Sequence, residues 1–134
     1  MLGQVIYRSQ AVFPEGHLSN LDILREALAR NPGQDLTGFL IRDRTHFLQV
    51  IEGPVDRLDA LLGGLARDPR HGALTVLRRK ARCTRLFGEW SMGFAEAQPG
   101  AEPAIAALRA PEALVRLRRA AARQATAWRL QRAA

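Results

Sequence analysis

Cysteine is almost absent from this chain: Cys83 is the only one in 134 residues. A single cysteine closes no intrachain disulfide, and no Cys/His group has metal-ligand spacing, so neither a disulfide scaffold nor a metal site is expected. Cys83 lies in an apolar and basic run and is expected as a small buried packing residue, as free cysteines commonly are. Long apolar runs are also missing; none approaches the ~20 residues needed to span a bilayer. The opening MLGQVIY is too short for the apolar core of a secretory signal and lacks basic flanks. The expectation is a cytoplasmic protein with no membrane partner. Signatures of catalysis are absent too: there is no Gly-rich phosphate loop, no nucleophile elbow and no metal-binding helix. The histidines, His17, His46 and His71, are scattered and read as surface or structural residues. A non-enzymatic protein is expected.

What is present fits one domain. Hydrophobic residues make up 47% and charged residues 25%, enough apolar material for a core that needs no staple. The net charge of +7 is unevenly spread. Residues 101–134 hold seven arginines against Glu102 and Glu112, a surplus of five, which leaves only +2 on residues 1–100. Such a tail could meet nucleic acid, an acidic partner or water. With no aromatic interleaving and no nucleic-acid motif, a solvated helix face is the reading, and nucleic acid is not an expected partner.

Along the chain, residues 2–9 alternate in part and read as a strand. Ser19 or Asn20 could cap a helix running to about Asn31 with Leu21, Leu24 and Leu28 on one face, ended by Pro32-Gly33. Leu36–Ile41 and Phe47–Ile51 read as strands joined by the polar turn Arg42-Asp43-Arg44-Thr45. After Gly53-Pro54, Leu58, Leu61, Leu62 and Leu65 recur at helical spacing. Residues 73–83 and 86–95 read as two more strands. The order βαββαββ predicts an α+β, ferredoxin-like sheet with two helices on one face. After Pro99-Gly100 the composition shifts to Ala, Arg and Leu. Leu114, Leu117, Ala121 and Trp128 then mark a terminal helix over residues 111–131 that faces the sheet or another subunit. The division is residues 1–97 as a domain and 98–134 as a helical cap or oligomerisation segment.

Several separated residues carry more chemistry than their surroundings. Tyr7, the only tyrosine, can release an electron and a proton together. Gln49 carries both a donor and an acceptor, so it can be rearranged without changing charge. Asn31 can hold a carbonyl. Each also has a plain structural reading: a core aromatic, a strand residue facing solvent, and a helix end before proline. Five blocks frame them: Val5-Ile6-Tyr7-Arg8-Ser9; Leu36-Thr37-Gly38; Phe47 to Pro54; Asp68-Pro69-Arg70-His71; and Trp90-Ser91-Met92-Gly93-Phe94. In this order and spacing, residues 2–95 resemble the BLUF family of flavin-binding blue-light sensors.

The resemblance implies a flavin, FAD or FMN, held between the two helices and contacted by Tyr7, Asn31 and Gln49. It implies that Tyr7 gives an electron and a proton under light, and that Gln49 ends in a new hydrogen-bonding state with a small red shift of the absorbance. It also implies signal output through Trp90 and Met92, set alternately on one face of the last strand, with core packing as the other reading of that pair. The chain departs from the family at Ala27-Leu28, at Arg30 in place of an asparagine, at Asp35 in place of a glycine, and at Gly64 in place of a basic residue. Arg30, Arg70 and His71 are candidate contacts to a flavin phosphate. The expected partners are the flavin, further copies of the chain and an unidentified downstream protein. The rival reading is a BLUF-fold interaction module without stable flavin binding.

Overall fold

Alternation in the opening residues becomes a two-sided strand. β1 (Leu2–Ala11) turns Val5 and Tyr7 to one face of the sheet and Ile6 to the other, all three buried. The computed structural model describes residues 2–14, 18–69, 71–97 and 103–133. After β1 come α1 (Leu18–Arg30), a 3-10 turn (Pro32–Gln34), β2 (Thr37–Arg42), β3 (His46–Pro54) and α2 (Val55–Ala66). β4 (His71–Arg82), β5 (Gly93–Glu96), a second 3-10 turn (Ile105–Ala107) and α3 (Ala110–Ala133) complete the order. The strands form one sheet, β4-β1-β3-β2-β5, antiparallel throughout except for β2 with β5. The expected ferredoxin-like α+β arrangement is present, with β5 added beside β2 and α3 following.

The sheet buries both faces. On one, α1 packs Ile23 and Ala27 against Leu40, Phe47 and Met92, while α2 packs Leu58 against Val5, Tyr7, Leu36 and Ile51. On the other, Ala113, Leu117 and Ala120 of α3 cover Ile6, Phe39, Ile41, Leu48 and Val50. The C-terminal helix therefore closes the open face of the sheet. Leu117 is buried as the spacing predicts, but its innermost neighbours are Ala113 and Ala120, each one residue before the expected Leu114 and Ala121, which pack at the margin. Trp128 is half-exposed, and Arg116 turns inward to donate to the Pro103 carbonyl.

Two connections fix the frame. Between β2 and β3, Asp43 Oδ1 accepts from the backbone N–H of Thr45 (2.9 Å) and His46 (2.8 Å), and Oδ2 accepts from Ile105 N (2.9 Å). The polar turn thus also ties down the approach to α3. Before β2, Asp35 adopts φ 56°, a left-handed conformation that favours glycine. What it gains is Arg85, which bonds the Asp35 carbonyl at 2.8 Å and its carboxylate at 3.0 Å.

Three expectations need correction. Residues 86–92 are not strand; only Gly93–Glu96 pairs, because β2 offers a short edge and Glu52 holds the preceding loop off the ladder. On α1 the buried positions are Ile23 and Ala27, Leu24 is partly buried and Leu28 is exposed, while the side chain of Leu21 lies outside the described residues. Cys83 is exposed, since it follows the end of edge strand β4 rather than facing a core.

Candidate functional site

Tyr7 and Gln49 sit opposite one another in the β1–β3 register, on the face covered by α1 and α2. The Tyr7 hydroxyl donates to Gln49 Oε1. Gln49 Nε2 in turn donates to the Met92 sulfur at 3.4 Å. All three side chains are buried. Burial pushes the Tyr7 phenol well above its ordinary pKa, the nearby Arg30 charge opposes this, and Asp68 adds to it. Tyr7 is therefore a neutral phenol at ordinary pH, able to give its proton only together with an electron or to a strong base. Gln49 is held in one orientation by its two neighbours. Reversing its carboxamide would exchange donor and acceptor at both ends.

Asn31 follows α1 directly, at the start of the 3-10 turn. Its carbonyl accepts from Gln34 N (3.1 Å) and Leu36 N (2.9 Å). Its fully buried side chain receives Arg30 Nε at 3.2 Å and donates to the Ser91 carbonyl at 2.6 Å. Two hydrogen-bond chains thus converge on one segment: Tyr7–Gln49 on Met92, and Arg30–Asn31 on Ser91.

Trp90 and Met92 do not share a face. Met92 packs with Ile23, Ala27, Leu40 and Phe47 beside Gln49. Trp90 packs on the α3 side, edge-to-face with Phe39 (centroids 6.0 Å apart) and 6.2 Å from Trp128. The strand expected through these residues would have placed both on one side. Without it, the backbone crosses the sheet edge between them, held by Gly38 N to the Trp90 carbonyl at 3.0 Å. Arg70 lies outside the described residues, as does the side chain of His71, whose backbone opens β4 opposite Ala11.

Between α2 and the end of α1 lies a cleft of about 420 Å³. Leu36, Ala60, Leu61 and Leu65 give it apolar walls, and Arg30, Gln34, Arg57 and Asp68 give it a polar rim. Leu36 and Arg30 link it to the buried residues: Leu36 packs in the Tyr7 cluster and Arg30 bonds Asn31. A Cβ added at Gly64 meets nothing within 4 Å, so the wall is open there. Apolar walls and a cationic rim suit a flat heteroaromatic ring carrying an anionic tail, and the amides of Asn31 and Gln49 are buried and do not line the cleft. Since Tyr7 and Gln49 are covered, contact with such a ring requires cleft side chains to part. Sequence spacing alone missed Arg57, Gln34 and Leu36. The first of these could have been found, because Arg57, Ala60, Leu61 and Gly64 fall at i, i+3, i+4 and i+7 on one face of α2.

Sequence reading also missed Glu52, fully buried on the α3 face. It accepts from Gln4 Nε2 (2.9 Å), Leu86 N (3.0 Å) and Phe87 N (2.7 Å), pinning the loop that leads to Trp90. Among the described residues there is no cluster of metal-binding side chains, and no helix is long and apolar enough to cross a membrane.

Known proteins carry the same frame. The chain is 34% identical over 93 residues to the photoactivated adenylate cyclase subunit alpha-like protein FB of Euglena gracilis, a match covering 68% of this chain and 9% of that protein. It is 32% identical to the blue light- and temperature-regulated antirepressor BluF of Escherichia coli K12, over 69% of this chain and 23% of the relative. The chain therefore spans about a tenth to a quarter of these relatives' length. Among solved structures it is similar to the dark state of BlrB, a BLUF protein, with TM-score 0.78 and 30% identity over 90% of this chain and 96% of that one. It is also similar to the BlsA ground state, with TM-score 0.68 and 28% identity over 73% and 66%. The profile described as sensors of blue-light using FAD matches residues 2–93, and the chain belongs to that family, BLUF.

Proposed function

We propose that this protein is a blue-light photoreceptor in which Tyr7 and Gln49 form the switch, Asn31 orients the flavin, and Met92 and Trp90 pass the change on. The observation that carries this is the buried chain from the Tyr7 hydroxyl through Gln49 to the Met92 sulfur, behind the cleft. Bound FAD or FMN supplies the light-absorbing, one-electron chemistry. The rest belongs to the chain's own groups. Tyr7, kept neutral by burial, holds its proton on the hydroxyl and would give it only together with an electron, both passing to the bound flavin under light and both returning to Tyr7 afterwards. Gln49 can settle in the reversed orientation, presenting its N–H to Tyr7 and its oxygen towards Met92. Water is kept from the exchange by burial of all three side chains.

Output runs from Met92 across the sheet edge to Trp90, and from Trp90 to Trp128 on α3. Residues 1–97 act as the sensing unit and 98–134 as cap and output surface. We infer a cytoplasmic, non-enzymatic protein that signals through contacts with its own copies or a downstream protein. The test is spectroscopic. Gln49→Leu and Tyr7→Phe should each retain flavin and lose the light-induced red shift. A mutant with the wild-type difference spectrum removes that residue from the switch.

A further inference from the structure

We propose that Arg30 and Arg57 form a phosphate subsite at the rim of the cleft, so that the protein selects phosphorylated flavins over riboflavin. This rests on the flavin reading above. The two arginines belong to different helices, Arg30 ending α1 and Arg57 in the first turns of α2, yet both line the same cleft. Against these two cations the lining holds one carboxylate, Asp68, so the rim carries a net positive charge.

Arg30 is half-buried, and its Nε is already committed to Asn31 at 3.2 Å. That leaves the two terminal nitrogens of the guanidinium, the pair that grips phosphate oxygens with parallel N–H bonds. A cation partly removed from water also binds an anion more strongly than one in bulk solvent. Arg57 is exposed, so it adds attraction without a desolvation cost.

Gly64 leaves room for this arrangement. It lies on the Arg57 face of α2, seven residues on, and contributes no side chain to the rim. The space its Cβ would enter is empty to 4 Å. The positive charge of the rim comes from one residue earlier in the same helix and one at the end of the facing helix. The apolar walls hold the ring alike in all flavins; the phosphate is what these two residues can tell apart.

The full-length chain, freed of bound flavin, is titrated with riboflavin, FMN and FAD, and folding is checked by circular dichroism. FMN and FAD should bind at least about tenfold more tightly than riboflavin, a difference of about 1.4 kcal/mol. That advantage should shrink as salt is raised. Arg30→Gln with Arg57→Gln should abolish most of it, read as the ratio of FMN to riboflavin affinity, and Arg57→Gln alone should lower that ratio. Gly64→Lys in that background should restore part of it. Equal affinity for riboflavin and FMN in the unaltered chain, or an advantage that survives the double substitution, overturns the subsite and leaves the flavin reading standing. If Arg30→Gln weakens all three ligands alike, Arg30 holds the ring and is not a phosphate residue. Failure of all three flavins to bind the folded, unaltered chain overturns the flavin reading itself.

Discussion

At the scale of single residues, chemistry is set by what each side chain is denied. Tyr7 is denied water, so its phenol stays protonated at ordinary pH, and the light response should be flat from neutral into mildly alkaline solution. Met92 gives Gln49 Nε2 a weak acceptor, which favours the observed orientation. Met92→Leu keeps the bulk and removes that acceptor, so the reversed state should last longer. Its decay in the dark, followed by absorbance, should slow several-fold; an unchanged rate would show that Met92 only fills space. Asp43 behaves differently. Partial burial alone would raise its pKa, but hydrogen bonds from Ile105, Thr45 and His46 N–H groups outweigh it and hold the carboxyl below its ordinary value. A depressed carboxylate contributes stability above its unfolded pKa and loses it as pH falls through the folded one. Asp43→Asn should therefore weaken the fold by about 1–3 kcal/mol near neutral pH and flatten the acid limb of a stability-versus-pH curve.

At the scale of elements, what could be read from sequence followed periodicity. The helix at Leu58, Leu61, Leu62 and Leu65 was legible from its spacing, and the hairpin strands β2 and β3 from two short apolar runs, buried on both faces, on either side of the polar turn at Asp43. The region from Leu86 to Met92 was not. Its apolar residues suit a strand, but their places are set by partners far away in the chain: Glu52 for Leu86 and Phe87, Asn31 for Ser91, and Gly38 for Trp90. Tyr7, Asn31 and Gln49 were legible as a set through their surrounding blocks, whereas Arg57 becomes a candidate only once α1 and α2 face each other across the cleft. α2 also carries a weakness visible in both sequence and structure. Gly63 and Gly64 sit inside it with open space where a Cβ would be: the first would meet only Arg67 at 3.9 Å and the second nothing. Gly63→Ala should stabilise the chain by roughly 0.5–1 kcal/mol, seen as a raised melting temperature. No gain would mean that the alanine is strained in a way the open space does not show.

At the scale of the whole molecule, α3 completes the sheet on the side away from the cleft. Leu117 is fully buried against it, and Trp90 meets Trp128 there. Removal of residues 99–134 would bare Ile6, Phe39, Ile41, Leu48 and Val50, and exposed apolar patches of this kind favour association. The truncated chain should melt lower and aggregate or change its subunit number, while any flavin shift persists, since the switch lies on the opposite face. Unchanged melting and subunit number would make α3 a dispensable basic tail. The central claim, however, is that light rearranges hydrogen bonds around a bound flavin, and a light-minus-dark absorption spectrum of the full chain tests it most directly. The prediction is an oxidised-flavin band in the dark that moves slightly to the red under blue light and returns in the dark. A bound flavin whose band does not move, or a folded chain that takes up neither FAD nor FMN, would contradict it.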